Sequence, residues 1–484
     1  VSYALAGVMG YFLAGAGGLL WPRAQRWLSA LALLGGLGAL LAWAPHFPPT
    51  PVGGGSWGIT LAGDQLALGF WALTLLFHGM ALGEEWRRSG PFLALMTLLL
   101  GTCLALPLSQ DLFNLFVCLE LTSLLSFLLV GYESKPAAIW ASLKYLILTT
   151  VGMILYLVGV GLVYGELGTL SLAELRGGTW QWNGSLAVGV GLLAAGAATK
   201  GGVFLFAFWL PPAHGRAPHT ISALLSGLVV KMGLITLVRL AAVFPLSGVL
   251  VGLGVVTGVG GLIYALWERD LKLFLAYHTM SQLGYMLLGF GAGALLGGTA
   301  YALAHGLFKA LLFVAAGKAI AAGGSRRIDE LSGRLSLSTS LALGLGTAAI
   351  VGLPPLAGFA AKGILGGSLP GWGKWTLFGL GVGTAASFAK LIPLLVPGPP
   401  GRAWRGEWPL ALGLLAAGGW GLSHVPSLLS PVAWGQALGV VALGGGFYLG
   451  LRRFHPPLPR WTLDRACLAI LMGGLAISLG LLFA

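Results

Sequence analysis

Charge is what this sequence lacks. Of its 484 residues only 8% are Asp, Glu, Lys or Arg, against roughly a quarter in soluble chains. That scarcity excludes a soluble protein, and the want of any long polar stretch excludes a catalytic domain folded outside a membrane. Segments of about ten residues alternating apolar and polar are missing, which argues against a β-barrel, and no heptad seam is present. Only three cysteines occur, Cys103, Cys118 and Cys467. They lie in apolar runs without CxxC spacing, so no disulfide framework, zinc site or iron–sulfur cluster is expected, and no metal or other cofactor. No GxxxxGK[ST] string occurs, and the Gly-x-Gly pairs lack the preceding strand that a dinucleotide site needs.

What is present is hydrophobic. Apolar residues make up 57% of the chain and the mean hydropathy is +0.89. Runs near 20 residues, enough to cross about 30 Å of hydrocarbon, recur throughout, which predicts an all-α polytopic membrane protein. Sixteen helices are expected, near 1–20, 27–44, 64–83, 91–108, 111–131, 138–164, 187–208, 219–244, 247–266, 271–290, 293–318, 337–365, 373–397, 408–424, 435–451 and 463–483. Val1 to Leu20 is apolar without a basic start, and reads as a first membrane helix rather than a cleaved signal. Glycines such as Gly254, Gly258 and Gly260 read as packing faces.

The basic residues divide into two populations. With the N-terminus outside, the inward loops carry eighteen of the 27: Arg23, Arg26, Arg87, Arg88, Lys135, Arg216, Arg269, Lys272, Lys318, Arg326, Arg327, Arg334, Arg402, Arg405, Arg452, Arg453, Arg460 and Arg465. The outward loops carry only Arg176 and Lys374. By the positive-inside rule both termini are expected outside, and the net charge of +13 reports topology without calling for a nucleic-acid partner.

The remaining seven, Lys144, Lys200, Lys231, Arg239, Lys309, Lys362 and Lys390, fall within apolar spans, and six of them are lysines. Lysine can give up its proton when desolvated and arginine cannot. Each costs at least about 2.5–3.5 kcal/mol to bury in a membrane, so a row of them points to proton transfer. Snorkelling near a helix end is the plainer reading for Lys390 and an open alternative for Lys144.

Among the acids Glu120 stands out. It lies nine residues into its helix, some 13 Å deep at about 1.5 Å per residue. A lysine within about 4–6 Å would form an ion pair with it, and a movable partner would make that pair a switch. Asp111 at the helix start suits a cap and a functional role equally. His305 and Lys309, four apart, share a helix face, and the histidine suits a proton relay. Tyr277, His278, Ser281 and Gln282 suit either a polar route or interhelical hydrogen bonds. His214 and His219 flank a Pro-rich inward loop and suit proton entry, although a solvated turn is the plainer expectation.

Asp111-Leu-Phe-Asn-Leu-Phe is echoed by Asp270-Leu-Lys-Leu-Phe 159 residues on, and Lys200 by Lys362 at 162. Five helices lie in each interval, an odd number, so the second unit is inverted relative to the first. Each unit also carries a helix with breaking residues: Lys200-Gly-Gly with Pro211-Pro212, and Gly352-Leu-Pro-Pro-Leu-Ala-Gly358 before Lys362. The expected organisation is N-terminal helices over 1–90, a first five-helix repeat over 91–245, a second over 246–400, and C-terminal helices over 401–484.

The strings DLFNLFVCLELTSLLSFLL, TKGGVFLFAFWLPPAHGRAPHTISALLSGLVVKMG, DLKLFLAYHTMSQLGY, AHGLFKALLFVAAG and GLPPLAGFAAKGIL strongly resemble the antiporter-like membrane subunits of the complex I superfamily, over roughly residues 60–400. The DLFNLFVxxE string and a lysine at 231 look most like the D subunit of Mrp-type sodium/proton antiporters. The resemblance implies fourteen core helices in two inverted five-helix repeats, each giving a half-channel, so that two C-terminal helices here are extra. It implies that Glu120 pairs with Lys200, that Lys231 is the central relay, that His305 and Lys309 continue it, and that Lys362 ends it. A glycine pair follows Lys200 where many relatives carry Ala or Ser.

The function implied is that of an ion-transport subunit, not an enzyme by itself, moving protons and possibly Na⁺ beside other membrane subunits in a prokaryotic inner membrane. Lys144, His278, Ser281, Gln282 and Lys390 are secondary candidates for the path. Two alternatives stay open: a proton-pumping subunit of NADH:quinone oxidoreductase or a hydrogenase, and a membrane subunit of an inorganic-carbon uptake complex. Autonomous transport of an organic substrate is disfavoured, because the buried groups form a string of lysines and no substrate pocket.

Overall fold

The structure, a computed structural model, describes residues 3–42, 50–53, 58–88, 90–398, 407–454, 456, 458–459 and 461–483. The inward-loop residues Arg402, Arg405 and Arg460 lie outside the described residues, as do the outermost residues of the first two expected helices. Each of the sixteen expected segments contains a helix, and eleven helices among the described residues are long and apolar enough to cross a membrane. The chain is an all-α, multi-pass membrane protein.

In chain order the elements are α1 (Tyr3–Leu20), α2 (Gln25–Leu41), a hairpin of β1 (Thr50–Val52) and β2 (Ile59–Leu61), α3 (Gln65–Glu85), α4 (Gly90–Ala105), α5 (Leu112–Val130), α6 (Pro136–Leu167), α7 (Leu172–Gly177), α8 (Gly184–Lys200), α9 (Leu210–Arg216), α10 (His219–Leu224), α11 (Val230–Ala241), α12 (Ser247–Trp267), α13 (Leu271–Gly291), α14 (Leu295–Gly323), α15 (Leu337–Val351), α16 (Ala357–Ser368), α17 (Gly371–Phe388), α18 (Glu407–His424), α19 (Pro431–Leu451) and α20 (Leu463–Leu482). They form two compact units, Val1–Ala217 with Leu228–Leu246 and Trp461–Ala484, and Pro218–Gly227 with Ser247–Arg460. The hairpin, α7 and α9 are additions to the expected helices, each too short to register as an apolar run.

The same device starts a central helix in each unit. Asp111 caps α5 by accepting from Asn114 N at 2.8 Å, and its backbone bridges to Ser171. Asp270 caps α13 by accepting from Lys272 N and Leu273 N at 2.9 and 3.0 Å, and bridges to Arg327. Such caps satisfy helix-end donors and are each worth about 1 kcal/mol.

In the first unit α8 packs on α6, where glycine lets backbones meet: a Cβ on Gly196 would stand 2.6 Å from Gly152 O. Helix α20, one of the two C-terminal helices beyond the expected fourteen, packs on both α8 and α6, with Gly474 beside Ala195 and Leu155. Ser478 fills the space beside Gly191, and Trp182 donates its indole N–H to Leu481 O at 3.0 Å. In the second unit α12 and α13 close up through Gly254, Gly258, Gly261 and Gly284, so the glycine face expected on α12 is a packing face. The other extra helix, α19, seats Gly444 against Ala385 of α17.

Two expected spans are not continuous. The segment 187–208 stops being α-helical at Lys200, and 337–365 is interrupted after Val351. Gly202 and Leu205 have φ of +72° and +74°, and Gly352 has +95°. A right-handed helix cannot run through a left-handed residue, so the chain must turn at both places. His214 corrects a further expectation: it is fully buried on the short helix α9, not in a solvated turn.

Candidate functional site

The break after Lys200 frees backbone carbonyls inside an apolar unit, where each needs a donor. Trp209, just past the break, supplies one: its indole Nε1–H donates to Thr199 O at 2.9 Å, and the ring is held edge-on by Tyr145 at 4.7 Å. The Lys200 ammonium is therefore not needed as a cap. Its Nζ is buried with no hydrogen-bond partner among the described residues, and so is Glu120 Oε1 on α5. Glu120 is the acid whose charge reaches Lys200. The two are coupled through space without a hydrogen bond, which leaves both free to take one up.

Lys231 is fully buried. It is the second residue of α11, directly after a π-helical turn, Leu225–Val229, and such turns recur at functional sites. Gly233, two residues on, rests on the broken end of α8: a Cβ there would stand 2.2 Å from Gly201 N. The turn carrying Lys231 thus abuts the turn carrying Lys200. Arg239, at the far end of α11, is paired with Asp64 and donates to Pro107 O at 3.0 Å, which is a structural use of the one arginine inside a span.

In the second unit the break is closed differently. Lys362 Nζ donates to Ile350 O at 2.9 Å and Val351 O at 2.8 Å, the last carbonyls of α15, and lies 5.7 Å over the ring of Tyr285. Lys362 is committed as a cap where its counterpart Lys200 is not. His305 and Lys309 are both fully buried on α14. Lys309 Nζ donates to Leu275 O of α13 at 2.6 Å.

His278, read from the sequence as secondary, is the centre of this group. It is fully buried, and the charges of Lys309, Lys390 and Lys362 all reach it. Its Nε2 is 2.6 Å from Ser387 Oγ, whose own proton goes to Thr384 O at 2.9 Å, so Nε2 carries the hydrogen; Nδ1 has no partner among the described residues.

The other secondary candidates are used structurally. Ser281 donates to Gly258 O at 2.8 Å, stitching α13 to α12. Gln282 donates to Thr384 Oγ1 at 3.3 Å and accepts from Tyr301. Lys390 spends all three of its N–H groups on Ala265 O, Leu266 O and Glu268 O at 2.8–3.1 Å, capping α12. Lys144 lies 5.2 Å over the exposed ring of Trp140, one turn back on α6. Tyr277 stacks on Tyr264 at 5.1 Å.

A buried polar cluster in α1–α4 has no counterpart in the sequence reading. Tyr11 OH meets His78 Nδ1 at 2.6 Å, Ser29 Oγ meets His78 Nε2 at 2.9 Å, and Ser29 also meets Thr97 Oγ1 at 2.9 Å. It ties the first four helices together.

The sequence pattern of the family described as NADH:quinone oxidoreductase/Mrp antiporter, TM matches residues 109–387. The chain is 32% identical to the N subunit of the NADH-quinone oxidoreductase of Desulforudis audaxviator over 417 residues, 80% of this chain and 82% of that protein. It is 33% identical to the D subunit of the Na(+)/H(+) antiporter of Alkalihalophilus pseudofirmus over 271 residues, 53% of this chain and 54% of that one. Among solved structures, a chain of the Mrp complex from Dietzia sp. DQ12-45-1b superposes with a TM-score of 0.74 at 27% identity, over 99% of this chain and 56% of that one. A chain of the membrane-bound sulfane sulfur reductase, an archaeal respiratory membrane complex, does so at 0.78 and 23% identity, over 93% and 98%. The last likeness is one of fold.

Proposed function

This chain belongs to the NADH:quinone oxidoreductase/Mrp antiporter transmembrane family, and from that premise we propose that it is the proton-translocating, antiporter-like subunit of a Mrp-type cation/proton antiporter assembly. The observation that carries the reading is the pair of buried, unpartnered polar atoms at the first break, Lys200 Nζ and Glu120 Oε1. With Trp209 serving Thr199 O, the ammonium has no structural duty. It keeps its proton while the Glu120 carboxylate stands by, and gives it up when a charge in a neighbouring subunit draws the carboxylate away. Lys231 takes up the proton in the same unit. In the second unit the acceptors are His305, Lys309 and Lys362, with His278 among the three lysines. The subunit sits in a prokaryotic inner membrane with both termini outside and works beside other membrane subunits.

Inverted vesicles carrying the whole assembly test this: Glu120→Ala and Lys200→Ala are each expected to abolish cation-driven proton uptake, and full retention in either overturns it. A second reading, a proton-pumping subunit of a respiratory complex, is favoured by the greater extent of the match to the N subunit of NADH-quinone oxidoreductase. Purifying the native assembly separates the two, since small antiporter subunits support the first and redox subunits the second.

A further inference from the structure

The loops that join α1 to α2 and α3 to α4 are locked together. Gly90 lies so close to Pro22 that a Cβ there would stand 2.3 Å from Pro22 O. Between the two loops is a cavity of about 200 Å³, and its charged lining is four arginines, Arg23 and Arg26 from one loop and Arg87 and Arg88 from the other. Arg88 is fixed as part of the wall: it reaches Glu133 at 3.3 Å and Glu85 at 3.9 Å, and its guanidinium covers the ring of Phe92 at 4.8 Å. Arg23, Arg26 and Arg87 are exposed and form no ion pair among the described residues. Glu84 and Glu85 on the neighbouring turn leave the cluster net positive. Trp27 and Trp86 meet edge to face at 5.4 Å beside it, and Trp21 and Trp27 are largely exposed. Exposed tryptophans of this kind sit at headgroup depth.

Topology alone asks for arginines in inward loops. It does not ask that four of them, from two loops, converge on one cavity with three left uncompensated. Planar guanidinium forks match the paired oxygens of a phosphate. We propose that this cavity binds the phosphodiester headgroup of an anionic phospholipid, with the tryptophans holding it at the membrane interface. Such a lipid would tie α1–α2 to α3–α4 at the inner face, independently of any proton path.

The full-length chain is purified and its retention of phosphatidylglycerol measured by native mass spectrometry and by thermal stabilisation, with phosphatidylcholine and inorganic phosphate as parallel probes. A basic group near an anionic surface is worth about a factor of five, so Arg23→Gln/Arg26→Gln/Arg87→Gln is expected to lower the apparent affinity for phosphatidylglycerol by about a hundredfold. Arg452→Gln/Arg453→Gln, in the second unit, is expected to leave it unchanged. If the triple variant fails to fold, Arg23→Gln and Arg87→Gln singly are expected to lower it about fivefold each. The proposal is overturned by equal retention of phosphatidylcholine, by undiminished binding in the variants, or by inorganic phosphate giving the full stabilisation, which would mark a soluble anion as the occupant.

Discussion

Trp209 donates its indole hydrogen to the carbonyl of Thr199 at 2.9 Å, one residue before Lys200. In the second unit the equivalent carbonyls are served by the lysine itself, through Lys362 and the carbonyls of Ile350 and Val351. One break is closed by a group that cannot carry a proton to and fro, the other by a group that can. The tryptophan thereby leaves the Lys200 ammonium without a capping duty.

Trp209→Phe should therefore impair transport without touching a charged residue. Phenylalanine keeps the ring against Tyr145 but has no donor, so Thr199 O is orphaned and Lys200 becomes its nearest remedy. A hydrogen bond to a charged group is worth about 1.5–3 kcal/mol, so a fall in proton flux of about tenfold or more is expected, with the thermal midpoint little changed. Flux in inverted vesicles beside a melting curve checks both halves; unchanged flux would mean that Lys200 stays free without Trp209.

Gly233 meets Gly201 backbone to backbone, and Gly38 on α2 meets nothing within 4 Å. Gly233→Ala is expected to destabilise by about 1–3 kcal/mol, the usual cost of overpacking, because a Cβ 2.2 Å from Gly201 N must push the broken end of α8 aside. Gly38→Ala should be neutral or stabilise by up to about 1 kcal/mol through helix propensity. Equal midpoints for the two variants would contradict the close approach.

How much of this was legible in the sequence follows from what a charge costs in a membrane. Glu120, Lys200, Lys231, Lys309 and Lys362 stand out because passive packing rarely retains such groups, and the Gly-Gly and Pro-Pro strings mark both breaks. Trp209 and Tyr145 do not stand out, since an aromatic in an apolar run looks like packing and its N–H or O–H shows no partner until the chain is folded. His78 is hidden for the same reason: Tyr11, Ser29 and Thr97 lie on three other helices. His278 looks secondary in the sequence because the lysines around it come from α14, α16 and the turn just after α17. The use of Lys390 as a helix cap fits its place near a helix end.

At the membrane surface, Glu133 in the turn between α5 and α6 accepts from Lys135 at 2.8 Å and from Arg88 at 3.3 Å. The Lys135 hydrogen bond first, then Arg88, holds its carboxyl below the ordinary carboxylate range against the opposing effect of partial burial. A group depressed in the folded state stabilises above its unfolded value and ceases to as pH falls through the folded one. Glu133→Gln should cost under about 1 kcal/mol at pH 7, as exposed pairs do, and the difference from the parent should shrink as pH falls below about 4, the ordinary carboxylate value, and vanish only once the pH is under the depressed folded value. Thermal melts across that range, at low salt, would show a constant gap if the carboxylate were not involved.

Lys362 offers the sharpest separation of cap from carrier. Arginine can donate to Ile350 O and Val351 O as lysine does, but it does not release a proton in a protein. Lys362→Arg is thus expected to hold the break closed, with a thermal midpoint near that of the parent, while proton transfer is lost. Lys362→Met removes both functions: two charge-assisted hydrogen bonds go, at about 1.5–3 kcal/mol each before relaxation, so the midpoint should fall along with the flux. If Lys362→Arg transported normally, its ammonium would be a cap alone, and the second unit would have to deliver its proton through His305, Lys309 and His278.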